Sequence, residues 1–180
     1  MLEKWKILNS KFVFENKWFK IRQDEVELPK GKRIDDFFVL VRPDIVLTLA
    51  ITGKQEIVFV RQYRHATGEI LLELPAGSFN PKLESAATAA RRELEEETGY
   101  IPQEMIPLGK LYDNPIKDTN TIHLFLARDV RPSGFQQLDA TEEIEVVLVP
   151  VSQVMEKIVQ GEIRVSGTLA ALFLGLSQLK

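Results

Sequence analysis

Residues 84–100 read ESAATAARRELEEETGY, and the folding of this stretch decides how the rest of the chain is read. At about 3.6 residues per turn, Leu83, Ala87, Ala90 and Leu94 fall within about 60° of one another and form a narrow apolar stripe. Gly99 stands where a helix passes its last carbonyls to a left-handed residue. The pattern predicts a helix over residues 84–98. Glu93 and Glu97 are spaced i,i+4, and Glu93 and Glu96 i,i+3. All three therefore project within about 100° of helix surface, beside the apolar stripe. Glu95 points elsewhere.

Glutamates on a helix ordinarily make a solvated face, and like charges at these spacings cost only a few tenths of a kcal/mol per pair. Two features argue against that reading. Arg91 lies on another side of the helix, and Arg92 is placed to reach only Glu96. The cluster also borders the buried stripe, where uncompensated carboxylates are costly. A divalent cation resolves both problems, and all-oxygen ligation suits Mg²⁺ or Mn²⁺. The chain has no cysteine and only two histidines, His65 and His123, so thiolate ligation is excluded and a histidine-built zinc site is disfavoured.

Outward from the helix, the chain reads as mixed α+β. Residues 6–9, 11–15 and 18–28 are short β segments rich in aromatic and β-branched side chains. The apolar phase slips between Ile21 and Val26, which predicts a bulge. Pro29-Lys30-Gly31-Lys32 is a turn signal, and residues 34–41 return as a second hairpin arm. Strands are expected at 45–51, 56–63, 70–74, 105–111, 121–128 and 144–149. Pro75-Ala76-Gly77 closes the third of these, and helices are expected at 151–160 and 168–178. The division this implies is an N-terminal antiparallel β segment, residues 1–42, and a main domain, residues 43–180.

With 180 residues, 44% of them hydrophobic, the chain is one domain's worth with room for a small addition. A net charge of −3 gives no basic face for nucleic acid. The first ten residues lack a signal peptide's apolar region, and no run approaches the roughly 18 apolar residues of a membrane span. A cytoplasmic protein with neither a nucleic-acid nor a membrane partner is expected.

Gly77, Glu84, Arg92, Glu93, Leu94, Glu96, Glu97, Gly99 and Tyr100 resemble the Nudix box, G-x5-E-x7-R-E-U-x-E-E-x-G-U. From Glu84 onward every slot matches, and chance would produce this on the order of 10⁻⁸ to 10⁻⁷ times per start position. One departure stands: six residues, not five, separate Gly77 from Glu84. The extra one falls in a segment containing Asn80-Pro81, where a loop absorbs an insertion at small cost. The resemblance implies the Nudix fold, a mixed β-sheet sandwiched between helices, here with an N-terminal β-rich dimerisation segment. It also implies metal ligation by Glu93, Glu96, Glu97 and the carbonyl of Ala76, with Glu84 and Arg92 paired as a brace.

The likeness extends to the ADP-ribose pyrophosphatase branch through Val60-Arg61-Gln62-Tyr63-Arg64, the stretch from Glu73 to Gly77, and Pro115, sixteen residues after Gly99. It covers about residues 20 to 175. The resemblance implies Mg²⁺-dependent hydrolysis of ADP-ribose or a related ADP-sugar to AMP and a sugar 5-phosphate. Residues 113–118, DNPIKD, lack the glycine usual just after this proline, which leaves the exact sugar open. Arg61 and Arg64 end an apolar strand with planar cations suited to phosphate oxygens, and they are expected to contact substrate with Glu73 and Pro115. His65 reads as a surface residue and His123 as structural.

The branch carries a catalytic glutamate on a loop before the last strand. That role falls to Glu142 first and Glu143 second, with Glu96 as the alternative base. The N-terminal segment, rich in Phe12, Phe14, Trp18, Phe19 and Ile21, has little reason to stand alone in water, and a homodimer is expected. Two other readings stay open. One is a Nudix hydrolase of another nucleotide, such as GDP-mannose, NADH or a dinucleotide polyphosphate. The other is an ADP-ribose-binding sensor that does not cut, against which stands the full set of box carboxylates.

Overall fold

The computed structural model describes residues 1–179, which divide into two compact units. The first holds residues 1–43 and, from the middle of the chain, residues 112–121. Strands β1 (Lys6–Glu15), β2 (Lys20–Glu27) and β3 (Arg33–Val41) form an antiparallel sheet in that order. The two short segments expected before residue 16 are one continuous strand. Its register shifts between Ile7 and Asn9 and between Phe12 and Phe14, so irregularities absorb the polar interruption that sequence reads as a break. The phase slip expected in β2 appears as a shift between Asp24 and Val26 against β3.

Residues 112–121 join this unit through backbone and charge. The Leu40 amide donates to Lys117 at 2.8 Å, and Arg42 pairs with Asp113 and Asp118 at 3.3 and 3.2 Å. Pro115 lies in this segment.

The second unit holds residues 44–111 and 122–179. Its strands are β4 (Asp44–Thr52), β5 (Glu56–Arg64), β6 (Glu69–Glu73), β7 (Ala76–Phe79), β8 (Tyr100–Ile101), β9 (Glu104–Tyr112), β10 (Thr121–Pro132) and β11 (Ile144–Pro150). Its helices are α1 (Ala86–Thr98), α2 (Val154–Val159) and α3 (Ser166–Leu176). The sheet runs β11-β5-β4-β10-β8, with β6 beside β5, β7 beside β4 and β9 beside β10. β4 and β10 are parallel, whereas β11–β5, β5–β4 and β10–β8 are antiparallel, so the sheet is mixed.

Alternation along β4 explains the layers. Leu47, Leu49 and Ile51 pack with Phe59, Leu124, Val154 and Leu172, on the face covered by α2 and α3. Val46 and Ala50 turn to the other face, where Ala89, Ala90 and Leu94 of α1 cover them. The stretch expected only to close β6 becomes β7: Ala76 pairs with Leu47 and Gly77 with Val46. Its four residues, AGSF, carry no alternation to read, and register with β4 makes them a strand.

α1 starts two residues later than expected. Ser85 caps it, accepting from the Thr88 amide at 3.1 Å, which leaves Glu84 outside the helix. Gly99 ends it in the left-handed conformation, φ 69°, as the sequence implies.

α3 approaches the sheet through Gly175, where an added Cβ would overlap the fully buried Leu49 and lie 3.2 Å from Leu108. Gly175→Ala gains about 1 kcal/mol in helix propensity, but overpacking typically costs about 1–3 kcal/mol. A lower melting temperature, by a few degrees, is expected in a calorimetric scan.

Candidate active site

The C-terminal half of α1 brings its acidic residues against β7. Leu94, fully buried, packs with Ala50, Val58 and Ala127 and pins the helix to the sheet. This sets Glu93 and Glu97 at the helix–strand junction. Glu97 is 4% exposed, and its Oε2 accepts the Ala76 amide at 3.0 Å. Glu93 lies where a side chain on Gly77 would be, since a Cβ there would overlap its carboxylate. The glycine of the box thus serves close approach and needs no unusual backbone angle.

Arg92 gathers three carboxylates. Its Nη2 donates to Glu84 at 2.8 Å, and its Nη1 donates to Glu93 and to Glu96, both at 2.8 Å. The expectation that Arg92 reaches only Glu96 is corrected: its long side chain also folds back onto its own neighbour. Glu84 can join because it lies in the preceding loop. With Arg92 occupied by Glu84, Glu93 and Glu96, Glu97 faces the cavity with only the Ala76 amide as a direct partner among the described residues.

The electrostatics follow from this. Burial pushes Glu97 up to about 8, against the Ala76 amide, with Glu93 and Glu142 adding to the rise. Burial raises Glu93 as well, despite Arg92. The Arg92 guanidinium is held charged, first by its hydrogen bond to Glu84.

A cavity of about 200 Å³ is lined by Ala76, Gly77, Glu93, Glu96, Glu97 and Glu142. Among the described residues no three acidic side chains converge as a ready coordination cluster, and Arg92 draws two of these towards itself. The acidic donors around the cavity are all oxygen, which is the ligand chemistry a hard divalent cation takes.

Glu142 enters from the loop before β11. Its amide donates to Asp139 at 2.9 Å, and its Oε2 accepts the Asp139 amide at 3.0 Å. Glu143 is exposed and does not line the cavity. Of the two adjacent candidates, the loop presents Glu142.

Arg61 and Arg64 are separated by the sheet. On β5, Ile57 and Phe59 pack towards α3 and Val58 towards α1. Alternation puts Arg61 with the first set and Arg64 with the second. Arg61 pairs with Glu145 on β11 at 2.9 Å, so the two arginines lie on opposite faces of the sheet. Arg64 forms a two-point pair with buried Glu73, at 3.0 and 2.7 Å. Its charge bears on Glu97 and Glu142. Beside it opens a groove of about 490 Å³ whose walls include Thr67, Leu71, Glu73 and Arg164.

Arg164 was not anticipated, because it lies 100 positions from Arg64 in a connection with no motif of its own. Pro115 belongs to the first compact unit and is exposed. His65 is exposed, hydrogen-bonded to the Tyr63 hydroxyl at 3.3 Å. His123 sits 3.3 Å from Asp44 with its ring edge-on to Phe79, a packing role.

Comparison with known proteins adds to this geometry. Residues 41–167 match the NUDIX domain, and residues 5–40 match the nucleoside diphosphate sugar hydrolase N-terminal domain. The chain is 30% identical to an ADP-ribose pyrophosphatase of Bacillus subtilis (strain 168), covering 89% of this chain and 86% of that protein. It is 26% identical to the ADP compounds hydrolase NudE of Escherichia coli (strain K12), covering 99% and 95%. A crystal structure of an ADP compounds hydrolase superposes with a TM-score of 0.88 at 26% identity, covering 99% of this chain and 96% of that one. A domain match over most of the chain, the same fold and a box with every carboxylate in place lead to one conclusion: this protein belongs to the Nudix hydrolase family.

Proposed function

We propose that the protein hydrolyses the pyrophosphate bond of ADP-ribose or a related ADP-sugar, releasing AMP and a sugar 5-phosphate, with Mg²⁺ or Mn²⁺ bound at the acidic cavity. The observation that carries this reading is the burial of Glu97 beside Glu93, Glu96 and Glu142 with so little compensating charge. The names of the relatives, an ADP-ribose pyrophosphatase and an ADP compounds hydrolase, support the choice of substrate.

Glu93, Glu96, Glu97 and the Ala76 carbonyl would hold the cation. When bound, it neutralises phosphoryl charge and lowers the pKa of a water molecule. Arg92 and Glu84 keep the glutamates in place, since Arg92 bonds both Glu93 and Glu96 while Glu84 anchors it to the loop. Glu142 takes the proton from the attacking water as the new P–O bond forms and the bridging P–O bond breaks. Arg64, oriented by Glu73, steadies the part of the substrate that extends into the neighbouring groove.

We also propose a homodimer built on the N-terminal sheet, in keeping with a protein of the cytoplasm. That sheet leaves Ile7 57%, Phe12 53% and Phe14 51% exposed, with Trp18 at 74% in the turn after β1, too much apolar surface for a solitary three-stranded sheet. Light scattering at micromolar concentration should give twice the chain mass, and a monomer there would overturn the dimer.

The deciding experiment is turnover with Mg²⁺ across ADP-ribose, ADP-glucose, GDP-mannose, NADH and diadenosine polyphosphates, each with an EDTA control. Fastest turnover on ADP-ribose, lost in EDTA, is expected. A different preferred compound would keep the chemistry and change the substrate; GDP-mannose is a real contender, because a GDP-mannose pyrophosphatase of Klebsiella pneumoniae is 30% identical over 88% of this chain. Tight ADP-ribose binding without turnover on any compound would make the protein a sensor.

Glu97 supplies a second test. It binds its proton more tightly in the fold than at the usual 4.5, so between there and about 8 the folded protein carries more protons than the unfolded chain. Stability in EDTA should therefore fall as pH rises through that window and level off above it. Glu97→Gln should flatten this decline and raise the melting temperature at alkaline pH. The same substitution should cut kcat with Mg²⁺ by orders of magnitude. A variant whose melting profile parallels the parent's across the window would refute the burial argument.

A further inference from the structure

The last turn of α1 ends in carbonyls that have no partner within the helix, and the loop before β11 satisfies them. The Ser133 amide donates to Gly99 at 2.7 Å, and the Gln137 amide donates to Glu96 at 2.8 Å. Between them, the Gln136 side-chain amide donates to Glu97 O at 2.7 Å and reaches Ile144 O at 3.3 Å. Both acceptors are carbonyls, so the nitrogen of the amide must face them.

The placement of these two carbonyls is informative. One is the backbone of a carboxylate that faces the acidic cavity. The other is the first residue of β11, two positions after Glu142. Gln136 and Ile144 bracket the arc that carries Asp139 and Glu142, and a single amide joins the arc's two ends to each other and to α1.

We propose that Gln136 is a positioning residue for the reaction: its amide clasps the loop so that Glu142 stands over the carboxylates of α1. The inference rests on Glu142 being the base. Glu142 has no direct bond to α1, and its own contacts run to Asp139 within the arc. The register of the arc against the helix therefore depends on the bonds made by residues 133, 136 and 137. A displacement of about 1 Å at a catalytic group can cost about a hundredfold in rate.

The test is a double-mutant cycle on turnover of ADP-ribose with Mg²⁺. Gln136→Ala should lower kcat about 10- to 100-fold, with KM changed less than about threefold and Mn²⁺ affinity, titrated alone, unchanged. Gln136→Glu keeps the shape but turns an acceptor towards two carbonyls, so it should lose at least as much. A space-filling role would instead leave the Glu variant active. Gln136→Asn, whose shorter amide cannot span both carbonyls, should fall between parent and Ala and serves if the Ala variant folds poorly.

In a Glu142→Gln background, which itself should lose about 10²–10⁴-fold, Gln136→Ala should cost less than about threefold more. Full additivity of the two losses would overturn the clasp and leave the base assignment standing. A loss below about tenfold for Glu142→Gln alone would overturn the base assignment and the clasp with it.

Discussion

A carboxylate nearly sealed from water is costly unless something pays back the lost hydration, and at Glu97 the only direct partner among the described residues is one backbone amide, that of Ala76. This bond ties the last turn of α1 to β7, the strand beside the central β4. It holds an acidic group where apolar packing by Leu94 has already set the helix. The fold therefore places a buried acidic group at the junction of helix and sheet, where burial makes it hold its proton far more tightly than a free carboxylate does.

Around that bond, charge is distributed unevenly and to a purpose. Arg92 balances Glu93 and Glu96 and is anchored by Glu84, so those glutamates are steadied from behind. Arg64 is steadied by Glu73, and its charge acts on Glu97 and Glu142. Neither arginine forms a bond to Glu97. The result is one buried carboxylate among groups that have partners of their own, with Glu142 supplied by a loop that is itself fastened to the carbonyls of α1.

The sheet sorts residues that sequence proximity groups together. Arg61 and Arg64 lie three apart, an odd separation, and alternation sends one towards α3 and the other towards α1. Glu142 and Glu143 are adjacent, yet only one lines the cavity. Near β11 and β5, a shift of one position therefore decides whether a charged group faces the site or solvent.

Much of this was legible in the amino acids alone. The helix, its glycine stop, the three carboxylates on one flank and the mixed α+β pattern follow from periodicity, because a repeat near 3.6 or 2 is a local property that neighbours in sequence impose on each other. The pairing of Glu84 with Arg92 follows from the box. Tertiary structure decided the rest. β7 is a strand only because β4 offers it a register, and Gly77 is needed only because Glu93 packs on it. The reach of Arg92 to Glu93, the separation of Arg61 from Arg64, the arrival of Arg164 beside Arg64 and the hold of Gln136 on Glu97 and Ile144 join segments far apart in the chain or choices among rotamers. No local periodicity encodes these. They are settled by which backbone groups remain unsatisfied once the sheet and α1 have packed, and by which side chains lie close enough to satisfy them.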